Sequence, residues 1–196
     1  MEKEETKMTK ISLHSLEEMF QTENFDCFIT EEIEESGKKG EKRLSIPIGT
    51  DSKERPLFLE IKITQEYPSE TLPKDDLLAH EQLHAVKNYY FLHFFVMLPF
   101  DVKGDALGDT ARLLLLLNKS LDLPGFDMSE VNQVVFYRYT WASPSLEVDK
   151  LFLLSIVGMI MLIIDSLSYT IEKVASGEAS LMQIVEQAQA EVKQQN

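Results

Sequence analysis

Apolar residues recur along this chain with two periods, one near 3.6 and one of 2, and the alternation between them predicts the elements. From Ile11 to Phe25 the residues Leu13, Leu16, Met19 and Phe20 share one face of a helix that Ser12 or Ser15 can cap. Asp26 to Ile33 reads as a short strand and Glu34 to Lys42 as a charged turn or loop. Leu44, Ile46 and Ile48 then alternate with Ser45 and Pro47, and Pro47 restricts that strand to an edge or a bulge. Leu57 to Thr64 alternates as a half-buried strand. Glu66 to Asp76, with Pro68 and Pro73, is a loop, and Leu77 to Lys87 a short helix. Tyr89 to Phe100 is dense enough in aromatic and aliphatic residues for a central strand, its aromatics Tyr89, Tyr90, Phe91, Phe94 and Phe95 belonging to the core.

Gly104 to Leu123 forms a second helix, stopped by Pro124-Gly125. At 100° per residue, Leu107, Thr110, Leu113, Leu114, Leu117 and Leu121 take its core face, while Leu115 and Leu116 fall among Asp109, Arg112 and Lys119 and need a cover. Val131 to Trp141 is a long strand of β-formers.

The most apolar stretch lies within a helix from Pro144 to Ser176, where only Ser155 and Gly158 interrupt the run Leu151 to Ile164. That run is shorter than the roughly 20 residues of a membrane span and has Asp149 and Asp165 beside it, so a buried helix is the expectation. Ser143 is its expected N-cap and Pro144 its first position; Lys173 and Gly177 mark its end. One face holds Phe152, Ile156, Met159, Ile160, Ile163, Leu167, Ile171 and Val174. The other is polar at its ends, Asp165, Ser168 and Glu172 among them, yet carries Leu151, Leu154, Met161 and Leu162 beside the small Ser155 and Gly158. Either another element covers this patch, or it is a dimer seam or partner surface. Beyond Gly177, Leu181, Ile184, Val185, Ala188 and Val192 sketch a thin stripe on a polar tail helix.

The order helix, strands, helix, strands, long helix predicts an α+β domain with an antiparallel sheet covered by helices. Residues 1–10 are expected to be disordered, 11–177 to form a single domain, and 178–196 a helical tail.

Composition narrows the function. The 196 residues carry 19 basic against 33 acidic side chains, a formal charge of −14, which disfavours nucleic acid and anionic lipid as partners and favours basic protein segments. Cys27 is the single cysteine, so no intrachain disulfide forms and a reducing compartment is expected. The start of the chain lacks an apolar signal core, and a cytoplasmic protein is the expectation.

Ala111-Arg-Leu-Leu-Leu-Leu-Leu-Asn118, Leu123-Pro-Gly-Phe126, Val134-Val-Phe-Tyr-Arg-Tyr139 and the apolar helix from Leu146 together resemble the fold shared by YbjN-like proteins and the class I chaperones of bacterial type III secretion. The resemblance covers roughly residues 100–177. It implies the order α-β-β-β-α-β-β-α, here with an inserted loop and helix and a C-terminal helical extension. It also implies a homodimer that holds an extended segment of another protein, possible clients including a secreted effector, without catalysis or cofactor.

His80-Glu81-Gln82-Leu83-His84 matches H-E-x-x-H, in which two imidazoles one turn apart bind zinc and the glutamate acts as general base. Neither the Gly nor the His of the extended pattern follows His84, and no Glu lies between Glu81 and Glu130; the candidates for a third ligand are Asp101, Asp105 and Asp109, with His93 on an expected strand. A solvated helix carrying two histidines is therefore the expectation, with a zinc hydrolase at His80, Glu81 and His84 as the alternative. No Gly-rich phosphate loop is present, since Gly104 and Gly108 lack its flanking pattern. The sequence as a whole points to a non-enzymatic binding protein. Its dimer or partner face is expected at Leu151, Leu154, Ser155, Gly158, Met161 and Leu162, with Leu115 and Leu116 as a second patch.

Overall fold

A computed structural model describes residues 8–33, 39–66 and 89–194. Among them the chain is a mixed α+β protein in which a six-stranded antiparallel sheet packs against helices. The strands are β1 (Met8–Lys10), β2 (Phe28–Ile33), β3 (Lys39–Thr50), β4 (Pro56–Glu66), β5 (Tyr89–Asp101), β6 (Phe126–Ser129), β7 (Val134–Ser143) and β8 (Glu147–Asp149). The helices are α1 (Leu13–Thr22), α2 (Leu107–Ser120), α3 (Lys150–Ala175) and α4 (Leu181–Gln194). The large sheet has the order β2-β3-β4-β5-β7-β6, and β1 pairs with β8 in a separate two-stranded ribbon.

The chain divides into two compact units, one of Met1–Ile46, Glu60–Phe94 and Thr140–Ser155, the other of Pro47–Leu59, Phe95–Tyr139 and Ile156–Asn196. In the first, α1 begins at Ser12, whose hydroxyl accepts the Ser15 N–H, and buries Leu16 and Phe20 completely. Leu44, Ile46, Ile61, Leu92, Phe94 and Leu153 complete that core. Met8–Lys10, expected to be disordered, is instead a strand: it pairs with Glu147–Asp149 from Met8↔Asp149 to Lys10↔Glu147. A partner more than a hundred residues away is what orders it, and no local pattern announces one.

The same ribbon corrects the start of the long helix. Ser143 ends β7 and its hydroxyl accepts the Ser145 N–H, so it caps a turn. Residues 147–149 are held extended by β1, and α3 begins only at Lys150, with the Asp149 carboxylate accepting the Phe152 N–H at 2.8 Å. Its end is as expected: Gly177 takes φ +70° and returns its N–H to Val174 O, while Glu178 N–H bonds Lys173 O.

β3 lies between β2 and β4, yet Pro47 has the local edge expected of it. The β2–β3 register starts at Phe28↔Ser45, so Pro47 sits beyond the reach of β2 and no ladder bond from that side is lost.

In the second unit, α2 buries Thr110, Leu113 and Leu114 and is tied to β6 through Asn118. Its Oδ1 accepts N–H bonds from Gly125 and Phe126, and its Nδ2 donates to Phe126 O at 2.7 Å. Gly125 is required there, because a Cβ would lie 2.2 Å from Arg138 O. Tyr137 is fully buried beneath this turn, donates to Leu123 O at 2.8 Å, and has its pKa pushed up to about 12 by burial and by Tyr139. The helical tail expected beyond Gly177 is present as α4, with Leu181 N–H bonded to Asp109 on α2.

Candidate functional site

Helix α3 supplies the surface in question, and its rotation decides which side chains are offered to solvent. Leu153, Val157, Ile160, Ile164, Ile171 and Val174 are 0–1% exposed and define the inward side. The outward line is Leu151, Ser155, Gly158, Leu162, Asp165 and Tyr169, all exposed, at alternating spacings of four and three. Leu151 is 65% exposed, Leu162 62% and Tyr169 49%. Leu154 and Met161 are half-buried on one flank. Phe152 and Met159, expected in the core, are 44% and 46% exposed on the other.

The correction has an electrostatic origin. Ser168 and Glu172, expected on the polar face, are buried. Glu172 accepts from Lys53 Nζ at 2.9 Å and from Arg55 Nη2 at 2.8 Å. Asp51 holds Arg55 in turn, accepting from its Nε at 2.6 Å and from the backbone N–H of Lys53 and Arg55, each at 2.9 Å. Burial alone would push the Asp51 carboxyl up, but the Arg55 side chain and the Arg55 and Lys53 backbone N–H groups together hold it below its usual value. With its carboxylate paired, Glu172 faces inward, and at 100° per residue Met159, thirteen residues earlier, then falls on the outward half of the helix. Residues 117 and 119 positions away set that rotation, which no helical wheel contains.

On α2, Leu115 and Leu116 are 70% and 47% exposed, as expected from the pattern. The β5 aromatics divide: Tyr90 and Phe94 are buried, whereas Tyr89, Phe91 and Phe95 are half-buried on the other side of the strand. In the first unit His93 bridges Thr64 and Thr140 through its two ring nitrogens, at 2.8 and 3.0 Å, with Phe91 stacked on it. In the second unit Phe58 and Met97 are 39% and 54% exposed, and Phe95 lies against Phe136 at 5.2 Å. The density of the run assigns all five aromatics to the core; the signal that separates the two sides is the strand's period of two.

His80, Glu81 and His84 lie outside the described residues. Among those described, no three His, Cys, Asp or Glu side chains gather in a way that could hold a metal ion. A recess of about 220 Å³ between Thr50, Asp51, Ser52, Leu57, Asp165, Ser168 and Tyr169 is smaller than the roughly 300 Å³ at which small-molecule clefts begin. Cys27 is buried, and its thiol pKa is raised by burial and by the nearby Glu17 and Asp26 carboxylates. It is poorly suited to act as a nucleophile.

Helix α3 is longer than its apolar run. By length and composition it could cross a membrane, with a mean hydropathy of 2.3 over its most apolar 18-residue window, of which 39% is buried. The expectation that it is too short counted only residues 151–164, whereas the helix runs for 26.

The chain matches no protein-family model, and no curated protein is significantly similar to it. The class it falls in is therefore set by its fold alone: an α+β protein with an antiparallel six-stranded sheet.

Proposed function

We propose that this is a non-enzymatic protein-binding module that acts as a homodimer and holds an apolar segment of another protein, in the manner of the secretion chaperones it resembles. The observation that carries the reading is the exposure of Leu115, Leu116, Leu151 and Leu162, at 70, 47, 65 and 62%. Large aliphatic side chains set on well-packed helices at this exposure are what a protein offers to a partner. A net charge of −14 favours segments that carry basic residues between their apolar ones and keeps the unoccupied protein from aggregating.

The test uses fluorescein-labelled extended peptides with alternating aliphatic and lysine residues, titrated with the full chain and read by anisotropy. Leu115→Glu combined with Leu116→Glu should weaken binding at least about tenfold, as expected when two anchors are charged, with an unchanged far-UV circular dichroism spectrum. Equal binding by the variant and the parent, or no binding of any such peptide, refutes the reading.

A further inference from the structure

We propose that the outward line of α3 is a self-complementary seam that packs antiparallel against α3 of a second copy, about a two-fold axis level with Ile160. The proposal rests on the protein-binding reading above and assigns this surface to a second copy, which leaves Leu115 and Leu116 for a different partner.

Leu151, Ser155, Gly158, Leu162, Asp165 and Tyr169 follow a four-three-four-three-four rhythm, the register in which two helices pack side by side along a continuous seam. Reversing the line about position 160 places Gly158 opposite Leu162, Ser155 opposite Asp165, and Leu151 opposite Tyr169. Each layer then joins a small residue to a larger one, or a leucine to a tyrosine, and the two-fold repeats each match; the Ser155 hydroxyl stays bonded to Leu151 O of its own helix at 2.7 Å. A parallel arrangement would set Leu162 against Leu162, Gly158 against Gly158 and Asp165 against Asp165. The last would place like charges in contact.

Gly158 adds an independent observation. A Cβ built there meets nothing within 4 Å among the described residues, so none of them needs the position to be glycine. A mid-helix glycine weakens a helix without return unless a neighbour from outside comes close, and the Leu162 side chain of a second copy would. Charge agrees. Between Leu151 and Ile171 the only carboxylate or basic side chain is Asp165, and at the end of the line the Lys173 ammonium lies 4.5 Å from the centre of the Tyr169 ring. A strongly basic partner would find one acid along this line, whereas a second copy finds an apolar surface like its own. In the antiparallel seam the two Asp165 residues lie about 15 Å apart along the axis at 1.5 Å per residue, beyond the roughly 8 Å screening length at physiological salt.

Leu151, Leu162 and Tyr169 on the line and Phe152 and Met159 on its flank are 44–65% exposed. At roughly 100 Å² each, two copies would bury about 600 Å² along the line, and on the order of 1,000 Å², the lower bound for a specific interface, where the flank is covered too.

The test is the mass and cross-linking of the full chain. Sedimentation at tens of micromolar should give twice 22.5 kDa. Leu162→Glu should weaken association at least about thirtyfold while keeping the circular dichroism spectrum, since the side chain is already 62% exposed. Gly158→Leu, which fills the recess without adding charge, should weaken it too. Cysteine pairs fix the direction: a mixture of Gly158→Cys and Leu162→Cys proteins, or of Leu151→Cys and Tyr169→Cys, should cross-link on oxidation. Leu151→Cys alone should not, because its counterpart would lie about 27 Å away along the seam. A monomer at these concentrations, a dimer indifferent to Leu162→Glu, or self-cross-linking of Leu151→Cys would overturn the proposal. So would flotation of the chain with phosphatidylcholine vesicles that is lost in Leu162→Glu, which would assign the line to lipid. The two readings fail separately. A monomer that still loses peptide binding on Leu115→Glu with Leu116→Glu refutes the seam and the homodimer but leaves the client-holding role; a dimer that binds no peptide refutes only the client-holding role.

Discussion

Arg55→Met tests the reasoning that a buried carboxylate sets the rotation of α3. Methionine keeps most of the aliphatic stem and removes the guanidinium fork. The parent Arg55 serves two carboxylates whose side chains are 3% exposed (Asp51) and 9% exposed (Glu172), and its guanidinium lies 5.7 Å from the centre of the Phe100 ring. Each charge-assisted bond to a buried carboxylate contributes about 1.5–3 kcal/mol, which sets an upper limit near 6 kcal/mol. Two features reduce it: Lys53 still reaches Glu172 at 2.9 Å, and Asp51 keeps its two backbone N–H donors. Arg55 is itself 30% exposed, so water takes up part of the loss. The expected cost is about 2–4 kcal/mol at pH 7, or roughly 4–16 °C in Tm for a chain of this size. Urea unfolding followed by circular dichroism at fixed protein concentration measures it.

The pH dependence has a definite sign. Asp51 has a lowered pKa in the folded state, so its contribution is complete above the unfolded value of about 3.9 and is lost as pH falls through the folded value. The gap between parent and variant should therefore be full at pH 5–8 and narrow below about pH 4. A cost under about 1 kcal/mol at neutral pH, or a gap as wide at pH 3 as at pH 7, would refute the account of why α3 faces as it does.

Other substitutions probe separate parts of the structure. Asn118→Ala removes three hydrogen bonds between α2 and the start of β6 and leaves the Gly125 and Phe126 N–H groups to find water; about 2–4 kcal/mol should be lost in denaturant unfolding. Gly158→Ala, whose new methyl meets nothing within 4 Å, should stabilise the protomer by about 1 kcal/mol at concentrations below self-association. A loss of stability would mean that a neighbour inside the protomer occupies that space. Cys27, buried with a raised thiol pKa, should react with a thiol reagent at pH 8 far more slowly than glutathione does, and at full rate in denaturant. Fast labelling of the native protein would show that the α1–β2 connection opens.

Much of this protein is legible in local pattern. The period of 3.6 in residues 13–22 and 107–120, the period of 2 in residues 57–63, the Ser12 cap and the Gly177 stop all act over a few residues, and the structure follows them. The exposure of Leu115, Leu116, Leu151 and Leu162 was readable for the same reason, since each sits far round the helix from a dense apolar side. What the pattern misassigned depends on distant partners. Met8–Lys10 becomes a strand because Glu147–Asp149 pairs with it, and that pairing in turn delays the start of α3. Met159 lies toward solvent where Glu172, paired with Lys53 and Arg55, takes the inward side of the helix. Sequence alone determined that a long apolar helix with a surplus apolar surface would exist. Its outward line was decided by tertiary structure, because a charged residue's preference for water holds only until the fold brings it a counter-charge.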